Sequence, residues 1–323
     1  MTTAPRSRKR AEHAHGSEPA QVGVPPGAED ELRSLLARVR QVELRAKKKS
    51  SASTTGAWHS RYKGRGMSFS ESRAFADGDD PRHVDWLATA RTGDLHVKQF
   101  VEERELTLLL VVDISGSMTT GSRARLRRQL AAEVTAVLAL SASKNQDKVG
   151  LVAFTDSAER LVRPAKGRPH ILRVIRDVLG LQPRSLKTKL APALEVAGHL
   201  LRQRSIIVVV SDFVGVDLPI DRLRALALRH DVAVVEIRDP LDHTLPDVGL
   251  LSVRDAESGV QTLIDTSDAR VVAAFGARHL LAVQKREADL QRAGVDHVVV
   301  SMQDDDALLP LLRFLRQRSR RMS

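Results

Sequence analysis

The sequence predicts an α/β fold, a doubly wound, mostly parallel sheet with helices on both faces, and three observations predict it. Apolar runs of strand length recur at 106–113, 149–154, 206–211, 232–237 and 297–301. Segments of helical period separate them, the alternation that a parallel sheet with helical crossovers requires. Hydrophobic residues make up 42% of the chain but aromatic ones only 3%, so Leu, Val, Ala and Ile must fill the interior, as they do in strands buried on both sides.

Taken from the N-terminus, residues 1–28 are rich in Pro, Gly, Ala and charge without periodicity and are expected to be disordered. Within 29–50, Leu32, Leu35, Leu36, Val39 and Val42 recur at helical spacing, and Lys47, Lys48 and Lys49 suit a helix C-terminus. This amphipathic helix is expected to dock on the chain's own body, with a partner as the alternative. Residues 51–105 are polar and punctuated by glycine, a small irregular β-containing module with a strand near 96–100.

The α/β unit spans 106–317. Its first helix carries Leu126, Leu130, Val134, Val137 and Leu138 on one face. The next begins near Pro169, carries Ile171, Leu172, Ile175, Val178 and Leu179, and stops at Gly180. Further helices are expected at 189–202, 219–229, 268–293 and 305–317, followed by a basic tail at 318–323. Two segments break the alternation. Residues 159–162 follow a strand after a short turn and read as an antiparallel edge, and the stretch of about 249–265 reads as an inserted hairpin.

Composition excludes several functions. There is no cysteine, so disulfides, thiolate metal sites and cysteine nucleophiles are ruled out. Apolar runs at 106–112 and 206–210 fall short of the roughly 18 residues of a spanning helix, and no apolar stretch follows the basic N-terminal cluster. A cytoplasmic protein without a membrane span is expected. The net charge of +11 sits at the ends: Lys and Arg outnumber Asp and Glu 14 to 6 in 1–66 and 5 to 0 in 313–323, against 32 to 34 between. Nucleic-acid binding through these basic termini is the alternative reading, but they lack interleaved aromatics for base stacking.

The chemistry gathers at strand ends. The first strand closes in Val112-Asp113-Ile114-Ser115-Gly116-Ser117, and in an open parallel sheet ligands bind beyond the carboxyl ends at the switch point of strand order. Asp113, Ser115 and Ser117 offer hard oxygen donors suited to Mg²⁺ or Mn²⁺. Asp212 ends another strand at the same edge, and Thr188, in the loop that opens a helix, adds a third hydroxyl. Five oxygen donors from three loops are expected to converge on a surface loop outside the apolar core. The bland alternative is that Asp113 and the serines cap a helix and satisfy turn amides.

Asp-x-Ser-x-Ser after an apolar strand, a Thr before a helix and a strand-final Asp resemble the metal site of von Willebrand factor A domains. The resemblance implies that Ser115 and Ser117 bind the ion directly, Thr188 directly or through water, and Asp113 and Asp212 mainly through water. It leaves a position open for a partner's carboxylate, which is binding and not catalysis. Lys187 and Lys189 flank Thr188 and depart from the pattern in either of two directions, weakening cation binding or helping to hold a partner's acid.

A second resemblance precedes the site, in Gly64-Arg65-Gly66-Met67-Ser68-Phe69, in Arg73 through Trp86 with Asp77-Gly78-Asp79-Asp80-Pro81-Arg82-His83-Val84-Asp85, and in Val101-Glu102-Glu103-Arg104. These residues look like the bacterial DUF58 family, whose members join this signature to an A-type domain. The likeness continues through Glu236-Ile237-Arg238-Asp239-Pro240. It implies a MoxR-type AAA+ ATPase as partner, with a further protein client offering an Asp or Glu carboxylate, in a chaperone-like or assembly role.

Within the signature, Asp77, Asp79, Asp80 and Asp85 do not have EF-hand spacing. Turns around Gly78 and Pro81, with Asp85 and Arg82 in ion pairs, are expected, and Trp86 and Trp58 are expected to pack in the core or between domains. Catalysis finds no nucleophile and base pair, neither a Gly-x-Ser-x-Gly elbow nor a phosphate loop, so the chain is expected not to be an enzyme. A metal-dependent hydrolase remains the lesser alternative.

Overall fold

The computed structural model describes residues 30, 33, 34, 36, 37, 68–76, 78–101, 106–122, 126–304 and 307–320. The segment 1–28, most of the 29–50 helix and Trp58 lie outside them. Of that helix, Asp30, Arg33, Ser34, Leu36 and Ala37 are helical, and Leu36 packs on the main apolar cluster.

Two antiparallel strands open the described chain, β1 (Ser68–Ala74) and β2 (His96–Val101), with helix α1 (Trp86–Thr92) between them. Asp85 caps α1 by accepting from the amides of Leu87 and Ala88, each at 3.2 Å, and also accepts from the Ser72 hydroxyl. Asp85 therefore serves as a cap, and Asp77 lies outside the described residues. Asp80 caps the short turn Pro81–His83 in the same way, and Arg73 pairs with Asp79 at 2.6 Å. The expectation that Asp85 serves in an ion pair is corrected here: its carboxylate is spent on the helix cap and on Ser72. Trp86 is a second correction: it is 71% exposed beside Leu87 at 79%, on the first turn of a short helix that buries none of its residues.

The main sheet is mixed α/β with mostly parallel strands. It contains β3 (Thr107–Asp113), β4 (Lys148–Phe154), β5 (Ala158–Ala165), β6 (Ile206–Ser211), β7 (Asp231–Arg238) and β10 (Asp296–Ser301) in the order β10-β7-β6-β3-β4-β5. All pair in parallel except β5, the antiparallel edge. Strands β8 (Leu250–Arg254) and β9 (Gln261–Asp265) form the inserted hairpin.

Side chains alternate across β3, so its apolar run feeds two cores at once. Leu108, Leu110 and Val112 face a layer made by α2 (Arg127–Lys144), α3 (Arg168–Gly180) and α7 (Leu309–Arg320). Leu109 and Val111 face α4 (Leu190–Leu200), α5 (Ile220–Arg229) and α6 (Ala269–Arg292). Helix α7 starts and ends later than the expected 305–317. Its Pro310 sits in the first turn, where a missing amide costs nothing, and the helix continues to Arg320 through part of the expected tail. No described helix is long and apolar enough to cross a membrane.

After β3 the chain runs outward to β4 and β5, then returns to the other side of β3 as β6 and continues to β7 and β10. The strand order thus reverses between β3 and β6, and the crevice at their carboxyl ends is where such sheets bind ligands.

Candidate cation site at the carboxyl edge of the sheet

Asp113 ends β3, and Val112 lies in register with Val210, so Ser211 and Asp212 follow at the same level on the adjacent strand. Asp113 Oδ1 accepts from the Ser115 amide at 2.9 Å and Oδ2 from the Ser211 hydroxyl at 2.6 Å. The hydroxyls of Ser115 and Ser117 share a hydrogen bond of 3.2 Å. The third loop is tied to the first by the Gly116 amide, which donates to the Leu186 carbonyl at 3.0 Å, two residues before Thr188. That loop is itself fixed. The Lys189 amide donates to the Thr155 carbonyl, Glu159 accepts from the amides of Arg184 and Ser185, and Asp156 accepts from the Ser185 hydroxyl. The three loops that carry Asp113, Ser115, Ser117, Thr188 and Asp212 therefore lie together.

The site differs from its sequence expectation in one respect. It is not on an exposed loop: Asp113 and Ser115 are 0% exposed, Asp212 3% and Ser117 4%. The inserted hairpin and the Leu186 loop close over Gly116, between Ser115 and Ser117. A Cβ on Gly116 would stand 2.5 Å from the Ala256 carbonyl in the hairpin turn and 3.1 Å from Leu186 Cβ and from its carbonyl oxygen. Gly116 has an ordinary right-handed backbone, so its glycine answers close approach and not conformation. Gly116→Ala is accordingly expected to force the hairpin turn outward and to destabilise the fold by about 1–3 kcal/mol, the usual cost of overpacking. Thermal melting, with limited proteolysis across 255–259, checks both parts; an unchanged melt and cleavage pattern would show that the turn does not rest on this loop.

Burial pushes the Asp113 carboxyl up to about 7, with the charge of Asp212 as the next cause; the bonds from Ser211 and Ser115 act against it. Two carboxylates held close in a dry crevice repel, the condition that a cation relieves. Asp212 is met in part by Arg127, whose Nη1 lies 2.8 Å from Oδ2, while Oδ1 accepts from the Val214 amide at 3.2 Å. The most telling atom is Thr188 Oγ1, which is buried and has no hydrogen-bond partner. A buried hydroxyl without a partner is costly and calls for an explanation. Among the described residues no group of three or more His, Cys, Asp or Glu side chains is placed to hold a metal, so a cation here would rest largely on hydroxyls. Two acids with three hydroxyls fit a hard divalent ion of the magnesium type.

Directly after Asp212, Phe213 holds a left-handed backbone, φ 51°, which a bulky side chain adopts only under constraint. The constraint is visible. Its amide donates to the Ser211 hydroxyl, its carbonyl accepts from Arg286, and its ring lies under the Arg286 guanidinium at 5.8 Å. Such strain costs about 1–3 kcal/mol and aims the preceding side chain. Ser211, Phe213, Arg127 and Arg286 were not singled out from sequence. A signal existed for Arg127 alone: a cation in the first turn of α2 opposes the helix dipole.

Comparison with known proteins gives the family. Residues 71–288 match the family described as "Protein of unknown function DUF58". An uncharacterized protein of Mycobacterium tuberculosis, Rv1480, is 33% identical over 293 residues, covering 88% of this chain and 90% of its own. A shorter uncharacterized protein of Mycobacterium avium is 31% identical over 163 residues, 49% of this chain and 94% of its own. Among solved structures, a conserved hypothetical protein BatB from Bacteroides thetaiotaomicron is similar at 16% identity and a TM-score of 0.43, with 67% of this chain and 98% of that chain covered. An aerotolerance-related membrane protein from Bacteroides fragilis is similar at 16% identity and a TM-score of 0.44, with 67% and 100% covered. From the family match and from a relative alike over nearly its whole length, the chain belongs to the DUF58 family.

Proposed function

We propose that this protein is a metal-dependent protein–protein interaction module of the von Willebrand factor A type, with no turnover of its own. Ser115, Ser117 and Thr188 would hold Mg²⁺ or Mn²⁺ with Asp113 and Asp212 balancing its charge. The ion supplies a Lewis-acidic position that accepts a carboxylate from a partner. The partner we propose is a MoxR-type AAA+ ATPase or an assembly containing one, acting on a client in the cytoplasm. Because the donors are buried, the hairpin turn at 255–259 and Leu186 must shift for a carboxylate to reach them.

The observation that carries this reading is the orphaned hydroxyl of Thr188. In a purely structural loop, evolution of a buried donor with no partner is a cost without return; beside a cation it is a ligand. Thr188→Val separates the two. Without metal the variant should be as stable as the wild type or more stable, by up to about 1–3 kcal/mol, because an unsatisfied polar atom is replaced by a methyl group. With Mg²⁺ or Mn²⁺ its affinity, read by titration calorimetry, should fall. A variant less stable than wild type in EDTA and unchanged in metal affinity would show that Thr188 is a structural residue and remove the main support for the site.

A further inference from the structure

Arg127 is the first residue of α2, where the helix dipole favours an anion, yet its side chain is buried. It bridges two carboxylates, Asp212 through Nη1 at 2.8 Å and Asp242 through Nη2 at 2.5 Å. Its Nε is buried without an acceptor. Asp242 belongs to the turn Pro240–Asp242 that follows β7, and its Oδ2 accepts from the Asp239 amide at 3.0 Å. Asp239 in turn accepts from the Ser122 amide at 2.8 Å, in the loop that leads from Ser117 into α2. A guanidinium held this way, against a dipole and with a donor unmet, is a poor device for stability alone, since apolar residues in place of the whole ion cluster would serve as well.

We infer that Arg127 is a built-in counter-cation that competes with a divalent ion for Asp212, and that Asp242 is the second carboxylate onto which the guanidinium is drawn when the ion enters. The inference rests on the metal reading above and deepens it by assigning its control. A monovalent guanidinium on Asp212 repels a dication bound nearby and satisfies part of the negative charge that would attract it. The site is thereby kept weak toward the free ion. Asp242 opposes this effect, because each bond that it makes to Arg127 loosens the hold on Asp212. The two residues, which touch each other, should therefore act on cation affinity in opposite directions.

The test is Mn²⁺ titration by calorimetry, together with the rise in melting temperature that Mn²⁺ produces, on the wild type, Arg127→Met and Asp242→Asn, with Thr188→Val as the weakened-site reference. Arg127→Met should bind about tenfold more tightly or better, a modest part of the repulsion expected between adjacent like charges. It should melt lower than wild type in EDTA and gain more from Mn²⁺. Asp242→Asn should bind severalfold more weakly, because the guanidinium then concentrates on Asp212. If Arg127→Met fails to fold in EDTA, Asp242→Asn alone decides, and unchanged or tighter binding there overturns the inference. Equal or weaker binding by a folded Arg127→Met, with the wild type binding Mn²⁺ normally, also overturns it and leaves the metal reading standing. No Mn²⁺ binding by any of these chains, all melting cooperatively, removes the metal reading and this inference with it.

Discussion

Replacing Glu236 with alanine is expected to lower the unfolding free energy by about 3–5 kcal/mol, the cost of leaving buried partners of opposite charge behind. Glu236 lies on β7 and is 1% exposed. Two guanidinium groups and an imidazole converge on its carboxylate: Arg286 from α6 at 2.8 Å, Arg238 from the same strand at 2.7 Å, and His297 from β10 at 2.8 Å. One side chain thus ties a central strand to an outer strand and to the long helix on one face. The same Arg286 donates to the Phe213 carbonyl at 3.2 Å and lies over its ring, so the cluster reaches the strained residue beside Asp212. Against a total stability of about 5–15 kcal/mol for a domain, such a loss is large.

The pH dependence has a definite sign. Burial acts to raise the Glu236 carboxyl, but the bonds from His297 and Arg238 and the charge of Arg286 outweigh it and hold the group below its ordinary value of 4.5. A folded-state value below the unfolded one stabilises fully above the unfolded value and is lost as pH falls through the folded one. Wild type should therefore lose stability below about pH 4.5, and Glu236→Ala should lose less over the same interval. Urea unfolding of both chains at neutral pH and at stepped acid pH measures the two effects together. A cost under about 1 kcal/mol at neutral pH, the size of an exposed ion pair, would show that water reaches the cluster.

The sheet is legible in the sequence because strands buried on both faces leave an unbroken apolar record. Leu108 through Val112 feed the two cores alternately, and nothing in that run had to be inferred from a partner strand. The edge strand β5 is legible for the opposite reason, since its short turn from β4 allows only an antiparallel return. The candidate site is legible as far as each donor stands beside a strand end or, for Thr188, just before a helix. Its closure is not. The hairpin turn reaches Gly116 across about 140 residues of chain, and no local pattern encodes which loop a turn will cover. Arg127 is missed on similar grounds, since its partners Asp212 and Asp242 lie 85 and 115 residues away. Trp86 fails for a different reason: residue type predicts average burial, and a short surface helix overrides the average.

If the proposed MoxR-type AAA+ ATPase binds through the candidate cation site, disabling that site is expected to weaken binding by about 2–5 kcal/mol, the loss seen when one member of a desolvated charge contact is removed. The choice of variants follows from burial. Asp113→Ala is a poor probe, because Asp113 is 0% exposed and holds both the Ser211 hydroxyl and the Ser115 amide, so its removal disturbs the loop as well as the site. Ser117→Ala and Thr188→Val remove one proposed ligand hydroxyl each, and Thr188 Oγ1 makes no bond whose loss would unsettle the fold. EDTA should reproduce both variants, and restored Mg²⁺ should rescue only the wild type. Interferometry of the full chain against the ATPase, with circular dichroism of each variant, is the measurement. Trp86→Ala supplies the contrast, since Trp86 and Leu87 form an exposed apolar pair on α1, outside the three loops of the candidate site, of the kind that anchors interfaces. Loss of binding with Trp86→Ala, and none with Ser117→Ala, Thr188→Val or EDTA, would move the interface to the α1 surface and leave the cation site without a role in it.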